Sequence, residues 1–343
     1  MWMRWAAVLL GALLWARTAE AQEFTVTTVP AALKVPLDQL KPNTIIFSDH
    51  RDDEGSENIG GFITFDDWSR LRPLQKHFLS LYPEFTEGMT TRTSEGMTAT
   101  TKEKLDLYTA EARFIVSKPA SSIDLKRYAT LAFLEKMDPQ VKHQIIAPNE
   151  IKILNDERNA NNRNPKREWC QGEYILLCLR SRYRFEGKIP MGIALANKLR
   201  DADRKLDDFI EFENELRVLP PEALDEAAVR NLTGIDSPVT AMLEQSIFAI
   251  NEVMHFGKFI AVIQAHPKDP EKTVATGMLV LAVSARTLDM KRKYEDVPVL
   301  RNLVPAQVLL GNSSFNTGNS ISAGLPVYAH NRIKGIAEVL SRD

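Results

Sequence analysis

Two triplets of charge at alternate positions are the most chemically suggestive pattern in the chain. Arg180, Arg182 and Arg184 share one face of an alternating segment from Tyr174 to Phe185, and Glu211, Glu213 and Glu215 share one face of another from Glu211 to Leu219. Guanidinium forks grip carboxylate or phosphate oxygens two at a time, so Arg180, Arg182 and Arg184 are candidate ligand-binding residues. The spacing also has a structural use. Two such strands side by side set opposite charges across from each other, for roughly 0.2–1 kcal/mol per pair, and glutamates that close neutralise an anion site. A solvated sheet face is the favoured reading. His255, between Met254 and Phe256, is the remaining ligand-binding candidate, although a histidine in an apolar run is usually a hydrogen-bonded core residue.

Other chemistries lack their spacing. Histidines at positions 50, 77, 143, 255, 266 and 330 form no short metal motif. The acidic patch Asp49, Asp52, Asp53, Glu54 and Glu57 places its glycine and closing carboxylate wrongly for a calcium loop. In Ser320-Ile321-Ser322-Ala323-Gly324 a serine stands where a nucleophile elbow begins with glycine. The loop Gly311 to Gly324 has neither Gly-Lys-Ser/Thr nor Gly-x-Gly-x-x-Gly. The expectation is no metal and no cofactor, with any catalytic residues dispersed in sequence.

Address and composition narrow the classes further. Arg4, the apolar run Trp5 to Trp15, and Ala19-Glu20-Ala21 form a secretory signal that predicts cleavage before Gln22 and a periplasmic or extracellular protein. No later stretch is long and apolar enough for a membrane-spanning helix. The formal net charge is −2, and loss of Arg4, Arg17 and Glu20 makes it one unit more negative. Nucleic-acid binding, which needs a clustered basic face, is excluded as an expectation. The two cysteines, Cys170 and Cys178, are expected to form a disulfide in an oxidising compartment, provided the chain doubles back between them. Asn231 and Asn312 head sequons that matter only in a glycosylating host.

The elements that must position any site follow from periodicity. Strands are expected at Glu23 to Val29, Thr44 to Ser48, Phe114 to Val116, Tyr174 to Phe185, Glu211 to Leu219, Ile247 to Met254, Lys258 to Ala265 and Thr273 to Arg286. The last two form a hairpin whose turn, His266 to Lys272, carries prolines that should exclude it from strand. Helices are expected at Trp68 to Phe78, Leu125 to Met137, Ile193 to Leu206 and Pro221 to Leu232. Another starts at Pro238 to Leu243, and an amphipathic one ends the chain from Pro326 to Leu340. The echo of Glu87-Gly88-Met89-Thr90 in Glu95-Gly96-Met97-Thr98 reads as a linker or an irregular strand pair.

This pattern predicts an α+β fold, an antiparallel β-sheet covered by helices with a C-terminal amphipathic helix. The division is a signal peptide at 1–21, an N-terminal α+β region at 22–154, a polar loop at 155–168 and a β-rich region at 169–343, with 22–343 open to being one domain. A helix-covered antiparallel sheet ending in a helix is similar in outline to the lipid-binding helix-grip architecture, a likeness of fold that carries no residue. The leading expectation is a non-catalytic exported protein that binds a small apolar or amphipathic ligand, or a partner protein. The alternatives are a secreted or periplasmic hydrolase, favoured if a histidine, a carboxylate and a hydroxyl meet in one pocket, and a structural envelope protein.

Overall fold

The computed structural model describes residues 23–50, 63–64, 67–68, 75–82, 90–92, 98–100, 105–139, 141–151, 168–184, 209–248, 254–284 and 321–342. The signal segment, the boundary loop at 155–167 and the expected helix at Ile193 to Leu206 lie outside these residues.

Strands β1 (Thr25–Thr28), β2 (Thr44–Asp49) and β3 (Ile63–Thr64) precede helix α1 (Gln75–Leu81). The short strands β4 (Thr90–Arg92) and β5 (Thr98–Thr100) pair with each other; of the sequence echo they contain Thr90 and Thr98, and the rest of it lies outside the described residues. Next come the long strand β6 (Leu105–Val116), helix α2 (Leu131–Met137) and strands β7 (Val141–Ile145), β8 (Ile175–Arg184) and β9 (Phe209–Leu219). Helix α3 (Glu226–Thr233) leads to β10 (Val239–Phe248), β11 (Met254–His266), β12 (Asp269–Ser284) and the terminal helix α4 (Ile321–Arg342). One ten-stranded sheet runs β1-β2-β6-β12-β11-β10-β9-β8-β7, with β3 also on β6. Every pair is antiparallel except β1 with β2. The α+β expectation, with a large antiparallel sheet and a C-terminal helix, therefore holds. Strands from both sides of the polar loop share this sheet.

Several local expectations need correction: the strand expected from Ile247 to Met254 is divided between the end of β10 and the start of β11, and the helix expected from Pro221 to Leu232 is a 3-10 turn, Pro221–Ala223, followed by α3. Of the residues from Pro238 to Leu243, Val239 onward are strand, not helix. Both faces of β10 are buried there, at Met242 and at Leu243, and this removes the alternation that would have marked it. The helix read from Leu125 to Met137 is a 3-10 turn, Leu125–Tyr128, followed by α2. Thr130 makes the break: extended, it accepts a hydrogen bond from Phe133 N at 3.3 Å and caps a new helix. Pro270 lies inside β12, beside the register shift between Ala265 and His266, where a strand tolerates a residue without an N–H. Finally, α4 begins at Ile321, upstream of Pro326, and takes in residues assigned to the Gly311 to Gly324 loop.

Along each strand successive side chains enter different packing layers. Tyr108, Phe114, Leu179, Leu216, Leu243, Phe259, Leu279 and Leu281 share one cluster with Leu125, Tyr128 and Leu134, and with Ala329, Ile333, Ala337 and Leu340 of α4. Their strand neighbours Leu107, Leu219, Met242, Ile260, Val262, Met278 and Val280 form a second cluster with Phe78 and Tyr82 near α1 and Val229 and Leu232 of α3. The sheet thus has an inner face toward α2 and α4 and an outer face toward α1 and α3. Gly335 lets α4 approach α2, because a Cβ there would lie 1.8 Å from Met137 Cε.

Candidate ligand site

Between the inner face, α2 and α4 lies a partly open pocket with a cavity volume of about 30 Å³. Tyr128, Phe133 and Leu134 wall it on one side, Leu216, Leu243 and Phe259 on the sheet, and Ile336 on α4. A second lobe of about 20 Å³ shares Leu125, Phe259, Ala261 and Ile336 and extends to Phe114, Ala275, Gly277 and Leu340. That lobe is almost wholly apolar, whereas the larger one also contains Asp138, His143, Gln245, Tyr328 and Arg332.

His143, Gln245, Tyr328 and Arg332 belong to one hydrogen-bonded row across four strands. Arg332 donates to Tyr328 Oη and to Gln245 Oε1. Gln245 Nε2 donates to Asn214 Oδ1 at 2.9 Å, and Asn214 Nδ2 donates to Ser181 Oγ at 2.8 Å and to Leu179 O at 3.4 Å. Ser181 Oγ lies 2.7 Å from His143 Nδ1. The Arg332 guanidinium also sits over the Phe259 ring, 4.8 Å from its centroid. Burial, assisted by the Arg332 charge, pushes the His143 pKa down to about 4, so the imidazole is neutral near pH 7.

A histidine, a hydroxyl and a carboxylate thus come near one another, but not as a hydrolytic triad. Ser181 is fully buried, and its oxygen is occupied by His143 and Asn214. Asp138, which has contacts of its own, is not bonded to His143. A nucleophile needs an approachable oxygen and a base oriented by a third group.

The residues singled out by sequence lie elsewhere. Arg180 faces Glu213 across the β8–β9 ladder, with Arg182 opposite Glu211. These strands are neighbours, as the matched stripes implied, and the side chains of Arg180 and Arg182 point away from the cavity. Arg180 donates to Glu213 Oε1 at 3.3 Å and also lies 3.6 Å from Glu150, while Arg182 bonds Glu211 at 2.9 Å. The stripe is not wholly solvated, since Glu213 and Glu215 are buried. Opposite Glu215 stands Cys178, and opposite Arg184 stands Phe209, so two of the three expected pairings form. The side chains of Arg184 and His255 lie outside the described residues; the His255 backbone falls in β11 at a register shift between Met254 and Phe256. Cys170 and Cys178 form the disulfide, with Cα atoms 5.6 Å apart. Positive φ at Cys170, Gly172 and Tyr174 turns the chain back just before β8 and supplies the required reversal.

Among the described residues no group of histidine, cysteine and acidic side chains could hold a metal, and no helix is long and apolar enough to cross a membrane. The sequence matches no protein-family model and no curated protein. Similar solved structures include the Zhui aromatase/cyclase from Streptomyces sp. R1128, at 10% identity and a TM-score of 0.33, spanning 68% of this chain and 92% of that one. Norcoclaurine synthase from Thalictrum flavum, in complex with dopamine and hydroxybenzaldehyde, is 11% identical at a TM-score of 0.29, spanning 69% and 88%. Ara h 8.0201 is 10% identical at 0.25, spanning 59% and 95%.

Proposed function

We propose that the mature protein is exported and binds a small apolar or amphipathic molecule in the cavity between the sheet and the terminal helix, without transforming it. One observation carries this reading: apolar walls border a narrow two-lobed pocket whose polar groups gather at one end, the distribution of apolar and polar groups usual in a small-molecule site. A helix layer over the inner face would keep the occupant from water. The fully engaged Ser181 weighs against acyl transfer.

Native mass spectrometry on protein from the exported fraction of its host tests the reading. The expected spectrum has an added mass of lipid size that survives gentle ionisation and is lost on denaturation. Ala261, small and common to both lobes, supplies the control: Ala261→Phe fills the space and should abolish the added mass while the protein stays folded. A bare wild-type protein that also binds no apolar probe saturably would sink the proposal.

A further inference from the structure

We infer that the occupant of this cavity, on the ligand-binding reading above, carries one deprotonated carboxylate at the end of an apolar body, received by Arg332, Tyr328 and His143. The direction of the hydrogen bonds in the polar row is the basis. A guanidinium can only donate. Gln245 must therefore turn its oxygen toward Arg332 and its NH₂ toward Asn214, which in turn presents its oxygen to Gln245 and its NH₂ to Ser181. With its oxygen accepting from Asn214, the Ser181 hydroxyl has one hydrogen left, and His143 Nδ1 is the acceptor at 2.7 Å. In a neutral imidazole the proton then sits on Nε2. His143 lines the cavity, and its Nε2 has no hydrogen-bond partner among the described residues.

The polar end of the cavity consequently offers donors: the remaining N–H groups of Arg332, the hydroxyl hydrogen of Tyr328, whose oxygen already accepts from Arg332, and His143 Nε2–H. Arg332 has no carboxylate within ion-pair distance among the described residues; its partners are a phenol, an amide and the face of Phe259. The acidic groups nearby are Asp138, already engaged, and Glu135, whose charge is felt at His143. Asp138 is itself a carboxylate in this wall, so the fit lies at the Arg332, Tyr328 and His143 end, where a head group that accepts and brings one negative charge is suited. A carboxylate is such a group. An ammonium would meet a cation and a row of donors, and an alcohol would leave the guanidinium charge unanswered.

Calorimetric titration of the full mature chain with dodecanoate, dodecan-1-ol and dodecylamine, each below its micelle concentration, tests the assignment. Dodecanoate should bind about tenfold tighter than the alcohol, with the amine weakest. In Arg332→Gln the carboxylate preference should collapse to within about twofold while alcohol affinity stays unchanged, which a merely structural arginine would not produce. Tyr328→Phe and His143→Phe remove one donor each and should lower the dodecanoate-to-alcohol ratio with the guanidinium in place, so the assignment stays testable if the arginine variant misfolds. Equal affinity of wild-type protein for dodecanoate and dodecan-1-ol would overturn the carboxylate but leave the cavity reading standing. No binding of any of the three would overturn both.

Discussion

The two faces of the sheet handle buried polarity in opposite ways. On the outer face the buried charged groups of the described residues each have polar partners, although Arg113 Nε and Arg217 Nε carry no hydrogen bond. Arg113 donates to the carbonyls of Leu33 and Thr233, Glu244 accepts from Tyr82 at 2.5 Å and from Arg217 at 3.3 Å, and Glu215 accepts from Cys170 N at 2.8 Å. On the inner face the polar row ends in unused donors beside empty space. A buried charge is costly unless paired, so the outer arrangement serves the fold and the inner one makes sense when something else completes it.

The sharpest test of that contrast compares two arginines. Arg113 is held by Leu33, Val35 and Thr233 carbonyls, and burial lowers its pKa to about 10 despite the neighbouring Glu111. Arg113→Met should cost about 3–5 kcal/mol, because three carbonyls lose a buried donor and Glu111 loses a neighbouring positive charge. Arg332→Met removes a cation with only neutral hydrogen-bond partners and should cost about 1 kcal/mol or less. Urea unfolding at pH 7 measures both. Equal losses would make Arg332 a structural residue and end the contrast.

Next in size is the disulfide. It ties the segment bearing the buried Trp169 to β8 and so belongs to the outer face. Opening an eight-residue separation by Cys170→Ser with Cys178→Ser should cost about 2–3 kcal/mol on the chain-entropy estimate. Ligand affinity should stay within about twofold if the faces are energetically separate. A loss of binding matching the loss of stability would show that they are coupled.

Much of the outer face was legible and little of the inner one, for a physical reason. Alternation marks a strand with one apolar side, so it revealed the facing of Arg180 and Arg182 against Leu177 and Leu179, and of Glu211 and Glu213 against Phe212 and Leu216. It cannot say whether an apolar side fills a core or lines a space. The polar row was nonetheless written as interruptions: Ser181 between Leu179 and Tyr183, Asn214 between Phe212 and Leu216, Gln245 between Leu243 and Ile247. One interruption is unremarkable. Three on neighbouring strands become a site only when register aligns them, and register is a long-range property. Arg332, four residues before Ile336 on the apolar side of α4, is the same signal on a helix.

His143 offers a smaller, directional test. Its folded pKa of about 4 lies below the ordinary 6.5, so as pH falls the unfolded chain takes up the proton first. The group leaves stability unaffected above about pH 6.5, lowers it progressively between about 6.5 and 4, and adds no further loss below. Solvent reaches part of the ring, so the total is of order 1 kcal/mol after screening. His143→Gln should abolish this increment, measured as the difference between the two unfolding curves at pH 7 and pH 4.5. Parallel curves would mean that the imidazole is solvated and that the row does not hold it neutral.

The smallest expected effect lies at the exposed end of the outer face. Arg182 and Glu211 bond at 2.9 Å with half-exposed side chains. Such a pair gains little from Coulomb attraction in water and gives up side-chain freedom, so the Arg182→Ala and Glu211→Ala cycle should return a coupling of about 0.2–1 kcal/mol that fades in high salt. Arg180 faces the buried Glu213, so the equivalent cycle there should return a larger, less salt-sensitive coupling. If both couplings were equal, charge pairing on this face would be a matter of strand register alone. The gradient of burial from Arg182 toward Cys178 would then contribute nothing to how the outer face is held together.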